Sequence, residues 1–247
     1  MMKRTTTFWH LDFVGATGAP AEWATDRSTE RIPCKLKPDS HRLHRFVGPV
    51  DVLLTSKRIT DFVRTYYGEF LVQDRVLRMF REEGFTGFEV HPVTARMKIR
   101  AREVDPCDDF SGVSERQAER VQVPVFGELV RTGWGGHAPP ESGIRLLERC
   151  PDCGYSNYTS WDDPAYLVDE KQWDGSDFFV VWPLPLLVFV SDRVARFIQR
   201  EKLTGVRPIP IEQMGVSPHI RTASPGRLKL WMPEEQAREL GEPLGIY

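Results

Sequence analysis

The sequence predicts an α+β fold: two repeated strand-helix-strand modules sharing mixed or antiparallel sheets, joined at a zinc-knuckle-like cysteine site. Three observations carry this. Leu71–Phe80 recurs as Phe189–Ile198, displaced by 118 positions (71 against 189), and Glu83, Thr86 and Gly87 recur as Glu201, Thr204 and Gly205. In each copy a short apolar run leads into apolar residues at helical spacing. A cysteine precedes each copy, Cys34 the first and Cys150 the second.

Residues 1–50 are rich in Gly, Pro, Ser, Thr and charge, and read as short strands and loops around Cys34. Val50–Leu54 reads as a strand. Ser56–Tyr67 carries Ile59, Phe62 and Val63 at a spacing that predicts a helix. Glu69–Val72 is a predicted strand and Asp74–Glu83 a predicted helix, with an acid in its first turn and Gly84 and Gly87 at its end. Phe88–Ile99 alternates as a strand does, despite Pro92. The polar, acid-rich stretch that follows divides the chain into 1–104, a linker at 105–122, and 123–247. Val123–Val130 restarts ordered structure, Gly133–Gly136 reads as a glycine turn around Trp134, and Ile144–Leu147 as a strand. Leu186–Val190 then leads into a helix from Asp192 to Lys202, with Ser191 placed as an N-cap. Arg227–Met232 is a final predicted strand.

The 247 residues suffice for a real core, and 40% hydrophobic with 28% charged is the balance of a folded globular chain. A net charge of −2 offers no basic footprint, so no nucleic acid partner is expected. The longest apolar stretch, Phe178–Val190, is too short for a membrane span and contains Pro183 and Pro185, and Met1–Thr7 lacks a signal peptide's apolar run. Four cysteines, two of them in a tight CxxC, suit a reducing compartment. A cytoplasmic protein without membrane contact is expected.

Cys150-Pro151-Asp152-Cys153-Gly154 is the sharpest local motif. Two thiolates at that spacing bind one zinc, and the glycine lets the backbone turn its amides toward sulfur. This supplies half a tetrahedral site. Cys34 offers a third ligand, but Lys37 stands where its partner thiolate belongs, and an ammonium there disfavours a cation. Cys107, His41 and His44 are the candidates for the fourth ligand. A vestigial site is therefore expected over a complete one, with one structural zinc as the only cofactor considered. A dithiol redox role is disfavoured because Gly154–Asn157 do not read as a helix start.

The stretch 161–177 sets Asp162, Asp163, Asp169, Glu170, Asp174 and Asp177 beside Trp161, Tyr166 and Trp173. Aromatics supply contact area and acids steer a basic partner, so Trp161, Asp162, Asp163, Tyr166, Trp173 and Asp174 form a candidate protein-binding surface. The opposing expectation for each tryptophan is the core. Arg75, Arg78, Arg193 and Arg196 read as surface charge or salt bridges between modules. No GxSxG, P-loop, GxGxxG or HExxH motif occurs, and no catalytic residue is expected.

Four segments carry a resemblance. They are Gly133–Ala138, Ser142–Arg145 with Glu148–Gly154, Trp173–Phe179 with Trp182–Pro185, and the Asp192-Arg193-Val194 helix ending at Thr204-Gly205. Together they resemble the double-CXXCG family of myxobacterial proteins, which includes immunity proteins against swarming-inhibition toxins. The resemblance covers about residues 125–212 densely, and the N-terminal half only through the repeat and Cys34. It implies a non-catalytic immunity protein that binds and neutralises a cognate protein toxin, with two cysteine knuckles paired on zinc. Cys150 and Cys153 match the second knuckle and Cys34 the first cysteine of the other; Lys37 departs from the pattern. The alternatives are a zinc-stabilised adaptor and a thiol-dependent enzyme using Cys150.

Overall fold

The structure, a computed structural model, describes residues 7–13, 21–24, 28–41, 43–55, 58–65, 68–97, 122–215, 222–223 and 225–247. The linker assigned to 105–122 therefore lies, except for Gln122, outside the described residues, as does Cys107.

The fold is α+β. In chain order the strands before the first helix are β1 (Phe8–Phe13), β2 (Glu22–Trp23), β3 (Ser28–Ile32), β4 (Leu43–Val47), β5 (Val50–Leu54), β6 (Phe62–Arg64) and β7 (Phe70–Gln73). Helix α1 (Asp74–Glu82) follows, then β8 (Phe88–Met97), β9 (Phe126–Arg131), β10 (Gly133–His137), β11 (Leu146–Arg149), β12 (Ser156–Thr159), β13 (Phe178–Trp182) and β14 (Phe189–Ser191). Helix α2 (Asp192–Arg200), β15 (Val206–Pro210), β16 (Thr222–Ala223) and α3 (Glu234–Gly241) complete the order. A six-stranded sheet runs β2-β5-β8-β9-β7-β6 and a five-stranded sheet β10-β13-β14-β1-β15. Each is antiparallel except for one parallel pair, β5 with β8 and β10 with β13.

The two large sheets exchange strands. β1 lies between β14 and β15, whereas β9, beyond residue 122, lies between β7 and β8. Phe8 faces Ser191 as Phe126 faces Gln73, and His10 faces Ile209 as Glu128 faces His91. Each second-named position follows its counterpart by the same interval (126 against 8, 191 against 73, 209 against 91). Both sheets thus draw strands from either side of residues 105–122.

The two helices face one core. α1 buries Val76, Leu77 and Phe80, and α2 buries Val194, Ala195, Phe197 and Ile198. Phe80 meets Phe197 edge-on at 5.8 Å, with Phe62, Phe85 and Phe178 in the same cluster. Each such side chain contributes about 1.5–3 kcal/mol relative to its exposed form. The loops leaving the helices pin the opposite sheets. Thr204 N–H and Oγ1 donate to Asp61 Oδ2 at 2.8 and 2.9 Å, and Arg75 pairs with the other oxygen of that carboxylate. Thr86 N–H donates to Asp177 Oδ2 at 3.1 Å, and Arg193 Nη1 meets the same oxygen at 3.1 Å. Gly87 and Gly205 follow those threonines at φ +83° and +98°, and a Cβ on either would collide with the carbonyl oxygen of Phe178 or Phe62. Only glycine permits that approach.

Four local expectations are corrected. The predicted helix at 56–67 is instead the strand β6, where Phe62 and Val63 suit an antiparallel pairing with β7; residues 56–57 and 66–67 lie outside the described set. Gly133–Gly136 is the body of β10 rather than a turn, because bare backbone can lie against Phe179 and Val181. Ser191 does not cap α2, since its hydroxyl donates to Asp177 Oδ1 at 2.5 Å. Arg227–Met232 forms no strand: Leu228–Leu230 is a 3-10 turn, and Pro233 with Glu234 and Glu235 then starts α3.

Candidate metal centre

Two hairpin tips meet away from the large sheets. β3 and β4 pair antiparallel and hold Cys34 and His41 in their connection. β11 and β12 pair antiparallel and hold Cys150 and Cys153 in theirs. Gly154 turns the second tip at φ +76°, where its N–H donates to the Cys150 carbonyl at 3.0 Å. In the first tip Ser40 and His41 N–H both donate to the Lys37 carbonyl, a tight turn that brings the imidazole back over Cys34. Lys35 N–H donates to Asp152 Oδ2 at 2.6 Å and ties one tip to the other.

Three sulfurs and one imidazole nitrogen converge there, all within 4.8 Å of one another and all on buried residues. Cys34 Sγ lies 3.6 Å from Cys150 Sγ and 3.4 Å from His41 Nδ1, and Cys153 Sγ lies 3.5 Å from that same nitrogen. Zinc–sulfur bonds of about 2.3 Å and zinc–nitrogen bonds of about 2.0 Å in a tetrahedron place neighbouring donors about 3.5–3.8 Å apart. The donor set fits one zinc ion, with Cys34, His41, Cys150 and Cys153 as its ligands.

The expectation of a vestigial site is therefore corrected. Lys37 does not occupy a ligand position. Its ammonium turns outward to Glu148 Oε1 at 2.6 Å, while its backbone N–H donates to Cys34 Sγ at 3.3 Å. The side-chain hydrogen bond from the Lys37 ammonium to Glu148 raises the Lys37 pKa and lowers that of Glu148, so both stay charged. His41 supplies the fourth donor, seven positions after Cys34. Of the other candidates, His44 is exposed on β4 with its ring against Phe46.

The thiols differ before any metal binds. Backbone N–H groups, first that of Cys153 and then that of Asp152, lower Cys150 to about 6 against the opposing effect of burial. Burial raises Cys153 to about 11, with the neighbouring sulfurs Cys34 and Cys150 adding to the rise. Tyr155 completes the surroundings: its ring stacks on His41 at 4.2 Å, and its N–H donates to Cys153 Sγ at 3.4 Å. Such outer contacts fix the ring plane and sulfur lone pairs of the ligands.

No family model matches this sequence, and no curated protein does.

The acidic and aromatic stretch divides into two groups. Trp161 is buried at 3% exposure beside Leu167 and Val168. Trp173 packs edge-on against Phe8 at 5.1 Å and donates Nε1–H to the Ser176 carbonyl. Asp174 accepts from Trp134 N–H at 2.7 Å and Ser176 N–H at 2.9 Å, closing the loop beside β10. Asp174 is nonetheless exposed, as are Asp162, near Arg145 at 3.4 Å, Asp163, which caps the 3-10 turn Pro164–Tyr166 by accepting from Ala165 N–H, and Tyr166. Of the helix arginines, Arg78 and Arg196 pair with Asp74 and Asp192 one turn back, whereas Arg193 and Arg200 reach Glu83.

Proposed function

We propose that this chain is a non-catalytic immunity protein that binds and neutralises a cognate protein toxin in the cytoplasm, with one structural zinc stapling its two hairpin tips. The observation that supports a structural metal is the closed donor set. Four protein ligands on buried residues leave no open coordination position for a substrate or an activated water, which catalytic zinc sites keep. The sequence segments around Gly133–Ala138, Cys150–Gly154 and Trp173–Phe179 supply the resemblance to immunity proteins. Asp162, Asp163, Tyr166 and Asp174 are exposed members of the acidic, aromatic stretch and form the contact surface of this reading. Among the described residues no helix is long and apolar enough to cross a membrane.

The test is co-expression with the product of the neighbouring toxin gene. Co-purification of the two, with survival of toxin-expressing cells, is the expected result. No complex together with no rescue overturns the reading. A zinc-stabilised adaptor is the alternative that the same donor set favours, and it predicts a metal-dependent complex with a partner that is not toxic.

A further inference from the structure

Beside the metal centre lies a small open cavity of about 160 Å³, walled by Arg149, Cys150, Gly154, Arg227, Ile246 and Tyr247 among others. Of the three clustered cysteines Cys150 is the one in that wall; all three are buried, Cys153 most fully. Arg149 and Arg227 bring two guanidinium groups to the same space, where they donate to the carbonyls of Gly245 and Cys153. A small polar molecule in that cavity therefore lies against Cys150. Its sulfur neighbour on the other hairpin is Cys34 Sγ, at 3.6 Å.

We propose that Cys150 is a modification site for small hydroperoxides, and that the product is a Cys34–Cys150 disulfide formed with loss of the metal. The Cys150 thiolate attacks one peroxide oxygen, the O–O bond breaks, and a sulfenic acid forms as hydroxide (or an alcohol) leaves. The Cys34 thiolate then attacks that sulfur, the S–S bond forms, and a second hydroxide leaves. Two thiolates have given up two electrons, and the peroxide has taken them. His41 and Cys153 cannot hold the metal alone, because two donors of four remain. The new covalent bond spans the same 116 positions that the metal did, so the hairpin tips stay joined while zinc departs. A dithiol reductant reverses the step and restores the donor set. This inference goes beyond the toxin-binding reading and does not rest on it.

The test treats the zinc-loaded full chain, and in parallel the chelator-treated chain, with hydrogen peroxide. Zinc release is followed with a chromogenic chelator and the cross-link by non-reducing peptide mapping. Expected are release of about one zinc per peroxide consumed, a Cys34–Cys150 peptide in both samples, and zinc rebinding after reduction. Limited alkylation of the chelator-treated protein should mark Cys150 before Cys34 or Cys153. A Cys150–Cys153 or Cys107-linked disulfide, first labelling at Cys34 or Cys153, or zinc release without a disulfide overturns the proposal. A chain that purifies without zinc removes the metal assignment alone, since the mapping and labelling arms still decide the modification site.

Discussion

The carboxylate of Asp61 accepts two hydrogen bonds from Thr204, 143 positions further along the chain, one from its N–H and one from its hydroxyl. Asp177 accepts from Thr86 in the reverse direction, and each aspartate also meets the first arginine of the helix on its own side, Arg75 or Arg193. The exit loop of each helix is thereby fastened to the sheet that carries the other helix. Both carboxylates are buried, although Thr86 and Thr204, which donate to them, lie at the surface.

Asp177→Ala should cost about 3 kcal/mol, because it strips the acceptor from Thr86 N–H and leaves the buried Ser191 hydroxyl without its partner. Arg193→Ala should cost about 1 kcal/mol or less, since its side chain is 60% exposed and solvent screens the pair. Urea unfolding of the two variants measures both. Equal losses would mean that the ion pair, rather than the hydrogen-bonded acceptor, holds the junction.

His41→Ala should weaken zinc binding by more than the roughly 10–100-fold seen for changes outside the ligand shell, and should lower the melting temperature in step. Lys37→Ala should leave one zinc per chain, with affinity changed less than about tenfold, because the ammonium faces Glu148 and the backbone N–H survives. Competition titration with a chromogenic chelator reads both variants. Loss of zinc from Lys37→Ala would contradict the ligand assignment.

Zinc affinity should fall as the pH is lowered. Ligand thiols must shed their protons, so binding releases protons and a higher pH favours it. In the metal-free protein Cys150 lies at about 6 and Cys153 at about 11. Between those values binding must remove at least the Cys153 proton, so affinity should rise about tenfold or more per pH unit. Below about pH 6 the Cys150 proton joins it and the dependence steepens. Calorimetry in buffers of different ionisation enthalpy counts the protons released; fewer than one near neutral pH would be inconsistent with a protonated Cys153.

Trp161→Ala should destabilise the fold by about 3–5 kcal/mol, as a buried large aromatic does, and should depress toxin protection only by lowering the folded fraction. Tyr166→Ala and Asp162→Lys should leave the melting temperature within about 2 °C and weaken the toxin complex. Thermal unfolding alongside binding measurements separates the two kinds of effect. Unchanged toxin affinity in both surface variants would move the contact surface elsewhere.

The sequence was most legible where one residue type serves one local purpose. Both repeated helices, the strands around Val50–Leu54 and Phe88–Met97, and the Cys150–Gly154 tip follow from spacing alone. Reading failed where a tertiary partner overrode the local signal. Ser191 is a good cap by residue type, but the buried carboxylate of Asp177 claims its hydroxyl. Gly133–Gly136 looks like a turn until Phe179 and Val181 are laid against it. His41 was one of three candidates because nothing local distinguishes it; the turn at Lys37 and the facing hairpin select it. Trp161 and Trp173 share the composition of a surface patch, yet neighbours far along the chain draw them into the core, while Asp174 stays exposed and is tied to Trp134 N–H.

The placement of β1 also sets an order of events during synthesis. Its ladder partners are β14 and β15, and Leu11 N–H donates to the Val188 carbonyl. On the ribosome residues 8–13 emerge well before any of these, whereas β7 and β8 await only β9 to complete their pairing. This strand is made well before its partners and seated only after them, and until it is seated β14 and β15 have a strand-wide gap between them. A chain arrested before residue 189 would carry an unclaimed strand rich in Phe, Trp and Leu, the kind of segment that chaperones hold.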